Sequence, residues 1–457
     1  MIHEARQVLT QMPVDYADVR LEEDRRVTVS LRTRALREAT EYSVSGGHVR
    51  AYAHGGKAVG TFTSPDRGSA VAASTAASAA RAGERRDAPL RLAPAPALSG
   101  VFPVAPVQDP RTIALADKVD LARHYNDILL QERSVVATEV EYDEFSARRT
   151  FANSEGTAIE YELLNVTLYG LIVTQRNGVV QRVRFAYGGN ESFHRLLGRE
   201  DELRATLEVA KELPLAEPAR AGIFPVILDP SEASVFIHEA FGHLSEADGL
   251  QGNPAFRDRL KLGVVLGGSH LSVVDDPLLP NLPGSYAVDD EGVAATRTDL
   301  IRSGVLAGRM HSRETAAEFG EPLSGNMRAV GATFTPLVRM SNIYIEPGTS
   351  TFEDMVASID RGYYLVGAKG GQTAGDQFSF GALWGRRIDG GRLGNLVRDI
   401  NMSGELFSTL GAISLIGNDL AFSERGGCGK GAPMQTNRKS GKGAPHIKID
   451  RVTVGGI

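Results

Sequence analysis

The sequence predicts a two-domain α+β protein, with antiparallel sheets and packed helices in its first half. The second half is expected to be glycine-rich and mostly β, carrying one distorted helix. Three observations predict this. Apolar and polar side chains alternate through much of residues 14–187, as in strands with one buried face. Alanine-rich or amphipathic stretches interrupt the alternation, as helices laid on a sheet do. Beyond Pro214–Pro218 the chain turns glycine-rich, with short apolar runs around a single well-marked helix start. The expected domains are residues 1–215 and 216–457, each long enough to bury its own core.

Taken in order, Asp18–Glu22 and Arg26–Leu31 read as strands of period two. Gly46-Gly47 is a turn signal, and His48–His54 and Ala58–Thr63 continue the meander. His48 and His54 are expected to face solvent or a neighbouring strand. Ser69–Gly83 reads as a helix, and residues 85–112, with several prolines, as a surface connection. Lys118–Gln131 reads as an amphipathic helix with Val119, Leu121, Ile128 and Leu129 inward. Strands follow at Ser134–Tyr142, Ala147–Phe151, Ala158–Thr174 and Val179–Tyr187, and Glu191–Glu212 looks helical. Further on, Gly370-Gly371, Gly390-Gly391 and Gly426-Gly427 read as turns. Asp289-Asp290-Glu291 reads as a solvated turn before Gly292, or as acids orienting a metal-bound imidazole. His311 is placed at a strand end, in the core or at the surface, with donation to an oxyanion as the alternative.

Composition narrows the function. A net charge of -6 over 457 residues points to neither nucleic acid nor an anionic membrane as main partner. One cysteine excludes an internal disulfide framework. Met1–Arg6 has no basic start leading into an apolar run. No stretch approaches about 18 uninterrupted apolar residues. A cytoplasmic protein is expected. Gly429-Lys430 fails as a phosphate-binding loop: Glu424 stands where the pattern needs its first glycine, and Gly431 where it needs Ser or Thr.

The chemistry concentrates in His238-Glu239-Ala240-Phe241-Gly242-His243. Histidine is a common zinc ligand, and a carboxylate beside a metal site is the usual proton acceptor. Zinc peptidases commonly space the two histidines at i and i+4; here they are at i and i+5. In a regular α-helix five steps overshoot one turn by roughly 140°, so the imidazoles would diverge. A π turn would bring them back to one face, with Gly242 as the residue that lets the backbone depart from the helix. The helix start is marked by Asp229-Pro230-Ser231-Glu232, an acidic cap, a proline at the first position and a Glu at the third. The apolar strand Ile223–Leu228 runs into it.

Two histidines do not complete a catalytic zinc site, which needs three protein ligands and an open position. The third could be His, Asp, Glu or Cys. Cys428 lies in Glu424-Arg425-Gly426-Gly427-Cys428-Gly429-Lys430-Gly431, a glycine-flanked setting that a core role does not need. Arg425 and Lys430 nearby would favour its thiolate.

The H-E-x-x-x-H helix followed by this Gly-Gly-Cys-Gly-Lys loop resembles the TldD/PmbA family of metallopeptidases. So do Gly284–Gly292, Ser341–Gly348 and Ile449–Gly456. The resemblance implies Zn²⁺ held by His238, His243 and Cys428, with Glu239 as the catalytic carboxylate. It implies the active, TldD-type subunit, a homodimer or a heterodimer with a metal-free relative, and short or unfolded peptides as substrates in an enclosed site. One departure is Gly427, where a small hydroxyl residue is more usual. The alternative is a non-catalytic peptide-binding or assembly subunit with a structural metal; it would close all four metal positions with protein ligands, and only three are named here.

Overall fold

A computed structural model describes residues 1–10, 12–85, 88–190, 192–437 and 439–456. The first half builds a seven-stranded sheet. Its order is Gly56–Phe62, Ala35–Ala53, Tyr16–Arg32, Val135–Asn153 and Ala158–Arg176, the last pairing with both Ser99–Phe102 and Val179–Gly189. All these pairings are antiparallel except that of Ser99–Phe102. The helices Gly68–Gly83, Leu115–Leu130 and Glu200–Glu212 pack on the sheet. Ala122, Tyr125, Ile128 and Leu129 of the second helix are fully buried. The expected helix start at Glu191 lies outside the described residues; a short turn, Phe193–Leu196, precedes the helix there.

The second half is mostly β. Five strands close into a ring: Arg361–Ala374, Gly222–Leu228, Ile447–Gly456, Ile400–Glu405 and Gln377–Asp389, the last pairing back to the first. A six-stranded sheet beside it contains Val273–Asp275, Asn342–Ile345 and Gly441–Ala444. The helix Pro230–Ile237 leaves the ring strand Gly222–Leu228 and packs against strands of both sheets. Phe236, Ile237, Phe241, Leu365, Phe378 and Phe380 share one large core with it, which fixes the helix from all sides. Among the described residues no helix is long and apolar enough to cross a membrane.

Several local expectations are corrected. Gly46 and Gly47 make no turn; they lie inside the strand Ala35–Ala53. A Cβ on Gly47 would sit 2.2 Å from Phe62 Cζ, so glycine serves close packing there. Gly370 and Gly371 likewise lie within the strand Arg361–Ala374. Residues 135–142 and 147–151 belong to one continuous strand, Val135–Asn153, and Ser134 lies in the turn before it. The two histidines fall where they are expected: His48 is buried opposite Arg20 of the neighbouring strand, and His54 is exposed.

The largest correction concerns Asp289-Asp290-Glu291. This segment is a turn, but it is buried, at 1–4% exposure, and it orients no imidazole. It is pressed against the first sheet; a Cβ on Gly292 would meet Phe151 at 2.4 Å. Arg149 reaches Asp290 at 2.8 Å and Glu22 at 2.7 Å. Arg50 pairs with both Glu291 and Asp18. Asp289 accepts backbone N–H groups of Glu291, Val293 and Met327. These acids are therefore the joint between the two halves. Paired, hydrogen-bonded charges tolerate burial that isolated ones do not.

Burial alone would raise the Asp290 pKa, but Arg149 and then Arg20 outweigh it and hold the carboxyl at about 2, against its ordinary 3.8. A depressed folded-state pKa contributes stability above 3.8 that is lost as pH falls through about 2. The shift corresponds to on the order of 2 kcal/mol. Urea unfolding at a series of acid pH values is expected to show this slope in the wild type and to lose it in Asp290→Asn. An unchanged slope would remove Asp290 from the joint's acid sensitivity.

Candidate metal centre

The strand Gly222–Leu228 delivers the chain to Asp229, whose side chain accepts from the Glu232 N–H at 2.8 Å and the Gly367 N–H at 2.9 Å. This cap ties the helix start to the neighbouring ring strand. After Pro230–Ile237 the helix widens: His238–Gly242 is a π turn, followed by the tighter turn His243–Ser245. The extra residue is absorbed within one turn. The two imidazole rings then lie with centres 5.4 Å apart.

Gly242 does not act as the sequence suggests. Its angles, φ -56° and ψ -47°, are ordinary helical values. What it supplies is space: a Cβ would lie 2.2 Å from Met340 Sδ and 2.9 Å from Ile343 Cδ1. The widened turn is pressed directly onto the strand segment behind it.

Cys428 begins the short strand Cys428–Lys430, paired with Gln435–Asn437. Arg339, itself buried, donates to the carbonyls of Cys428 at 2.6 Å and Gln435 at 3.0 Å. It clamps the hairpin, and Cys428 Sγ comes to 3.3 Å from His243 Nε2. Ligand atoms of His238, His243 and Cys428 all lie within 4.8 Å of one another. The structure therefore brings together stretches nearly two hundred residues apart in sequence.

The His238 ring is fully buried, and neither of its nitrogens has a hydrogen-bond partner. Burial, and then the charges of Lys442, His243 and Arg339, push its pKa well down, so the ring is neutral and a nitrogen lone pair is available. An orphaned, neutral imidazole beside a thiol and a second imidazole is a donor set that fits a borderline-soft ion such as Zn²⁺. Three donors are the number of protein ligands that a catalytic zinc site uses.

His243 is held differently. Its Nδ1 lies 3.0 Å from Glu246, a carboxylate that accepts the Nδ1 hydrogen and turns Nε2 toward Cys428. Burial would lower its pKa, but the hydrogen bonds to Cys428 and Glu246 raise it to about 10. A metal at Nε2 must displace that proton. Glu246 is buried and also accepts from Lys430 at 2.9 Å and the Met340 N–H at 3.2 Å. Burial raises its pKa, yet Lys430 and His243 outweigh this, so it is charged. Glu239 lies 3.7 Å from His243, with its side chain 32% exposed, so it is reachable from solvent.

The expected cationic support for the thiolate is redistributed. Lys430 is engaged with Glu246 and Asp248, and Arg425 stacks 3.6 Å over the Tyr169 ring. The cation that interacts electrostatically with Cys428, Glu239 and His238 is Lys442, from the strand Gly441–Ala444. Glu246 escaped sequence reasoning although its place three residues after His243 was a usable signal. Lys442 carried no such signal. His311 is buried elsewhere, against Thr315 and Glu321.

Residues 221–456 match the family described as PmbA/TldA metallopeptidase C-terminal domain, and residues 108–213 its central domain. The chain is 34% identical over 449 residues to a Synechocystis protein named Metalloprotease, covering 98% of this chain and 96% of that one. It is 37% identical over 240 residues, 52% of each chain, to a Saccharolobus solfataricus protein named Zinc metalloprotease TldD homolog. Among solved structures it is similar to TldE from Thermococcus kodakarensis, with a TM-score of 0.78 at 17% identity over 100% of both chains. A Thermotoga maritima protein, described as a candidate modulator of a DNA gyrase, also gives 0.78, at 20% identity over 96% of each chain. At these identities the two structures establish the fold alone.

The packing of Gly242 predicts a coupled pair. Gly242→Ala is expected to cost about 1–3 kcal/mol by overpacking. Combined with Met340→Ala it should cost less than the two single changes added together. Urea unfolding of the four proteins measures the coupling; strict additivity would show that Met340 does not limit position 242.

Proposed function

The chain belongs to the PmbA/TldD metallopeptidase family, and from that premise we propose that it is a zinc-dependent peptidase acting on short or unfolded peptides. The observation that carries this reading is the convergence of His238, His243 and Cys428 within 4.8 Å, with Glu239 beside them. His238, His243 and Cys428 are the residues to hold the ion. When bound, zinc supplies a Lewis acid that acidifies water and polarises a peptide carbonyl.

The chain's own residues do the rest. Glu239 takes a proton from the attacking water and delivers it to the departing amide nitrogen. Glu246 keeps His243 in one tautomer and orientation, and Lys430 keeps Glu246 charged. Lys442, whose pKa burial lowers while Glu239 and Cys428 oppose the shift, supplies a cation beside these groups when protonated. The small sheet carrying Cys428 has only two strands among the described residues. An extended peptide can add to such an edge through its backbone, with little demand on side-chain identity. This supports unfolded segments as substrates. We assign enclosure of the site to a second chain, either another copy or a metal-free relative, and the setting to the cytoplasm.

Two variants test the assignment. Mass spectrometry of the purified protein is expected to find about one zinc per chain, sharply reduced in Cys428→Ala; full retention would remove Cys428 from the site. Glu239→Ala should retain zinc while hydrolysis of an unstructured peptide falls by about 10²–10⁴-fold. Turnover near the wild-type rate in that variant would sink the proton-transfer role.

A further inference from the structure

Behind the cysteine hairpin lies a cavity of about 280 Å³ that plays no part in the proposed hydrolysis. Four cationic side chains line it, Arg26, Arg149, Arg328 and Lys439, and among the described residues no Asp or Glu does. Arg26 and Arg149 are committed to carboxylates outside the lining, Asp24 for the first and Asp290 and Glu22 for the second. Lys439 donates to the Leu164 carbonyl at 2.9 Å.

Arg328 stands apart. It is 93% buried, being 7% exposed, and its Nη1 has no hydrogen-bond partner. Its guanidinium stacks on Tyr286 at 4.5 Å, and among the described residues it makes no ion pair. Burial lowers its pKa first; Tyr286 and Asp290 oppose this, and Arg339 and Arg149 repel it further. Lys439 is lowered by burial, then by Arg328 and Arg149. A buried guanidinium with no ion pair among the described residues is one that an anion in the cavity would stabilise.

The remaining walls are apolar, chiefly Phe145, Leu163, Val330, Phe334 and Met434. An inorganic anion gains nothing from such walls, whereas an organic anion with an apolar group does. The volume is near the lower end of small-molecule sites, about 300 Å³. Arginine recognises carboxylate by parallel N–H donation.

We infer that this cavity is a binding site for a small organic carboxylate bearing an apolar side group, with Arg328 as its principal anchor. The site is separate from the metal centre. Cys428 pairs with Asn437 in the hairpin, and Gly429 with Thr436. Adjacent register positions project to opposite faces, so Cys428 and the cavity-lining Thr436 fall on opposite sides of the same two strands. A ligand against Thr436 and Met434 therefore rests on the back of the wall that carries the metal-centre thiol.

The inference goes beyond the peptidase reading and is tested without an activity assay. Isothermal calorimetry on the full chain compares N-acetylphenylalanine with its uncharged amide. The acid is expected to bind at one saturable site at least about tenfold more tightly than the amide. Arg328→Gln should weaken the acid about tenfold or more, and Arg328→Lys less. Thr436 is exposed, so Thr436→Glu places a negative charge at the cavity mouth at small risk to folding and should also weaken the acid. Cys428→Ala should leave binding unchanged. Equal binding of acid and amide, or full binding to both Arg328→Gln and Thr436→Glu, would overturn the inference. Loss of binding in Cys428→Ala would locate the carboxylate at the metal centre instead. Inorganic phosphate displacing the acid at equal or lower concentration would overturn the organic-carboxylate assignment.

Discussion

Two imidazoles five residues apart can share one ion only if the helix between them is widened, and much of the second half of this protein serves that constraint. A π turn is less favourable than the α-helical turn it replaces and needs tertiary support. The support is visible on every side. Asp229 fixes where the helix begins, through the Glu232 and Gly367 N–H groups. Phe236, Ile237 and Phe241 are wholly buried in the largest core. Gly242 lets the turn settle against Met340 and Ile343. Without that close approach the widened turn would stand off from its sheet, and His243 would move away from Cys428.

The electrostatics divide into two systems with different duties. At the joint between the halves, Arg149, Arg50 and Arg20 pair with Asp18, Glu22, Asp290 and Glu291 in a buried network. Their pairing fixes how the loop around Gly292 meets the first sheet. Around the proposed metal centre the charges are graded. Lys430 sets Glu246, Glu246 sets His243, and His243 faces Cys428. His238 has no such partner. The asymmetry has a chemical consequence: one imidazole is a bare donor, whereas the other is held in orientation and would have to lose a proton to become one.

What the sequence disclosed depended on whether a feature was local. The strand alternation, the cap at Asp229 and the angular consequence of the i, i+5 spacing are properties of consecutive residues, and all could be read. Gly242 was read for backbone freedom, yet its angles are ordinary, because its real partner is Met340, almost a hundred residues on. Gly46 and Gly47 looked like a turn for the same reason; the ring of Phe62 that excludes a side chain is not visible in the local string. Asp289-Asp290-Glu291 looked solvated because acidic runs before glycine usually are. Only the arginines on the first sheet, far upstream, make burial tolerable. Lys430 and Arg425 were adjacent to Cys428 in sequence but not in charge, and Lys442 acts from a separate strand.

The cysteine hairpin ties these themes together. Its four-residue turn is flanked by strands of three residues each, too few for stability alone. It is held instead by Arg339, which spans both strands through the carbonyls of Cys428 and Gln435. The same hairpin presents Cys428 to the histidines on one face and Thr436 to the basic cavity on the other. The close approach of Cys428 to His243, at 3.3 Å, thus rests on the Arg339 clamp across the strand pair and on the Glu246 contact that orients the imidazole on the other side.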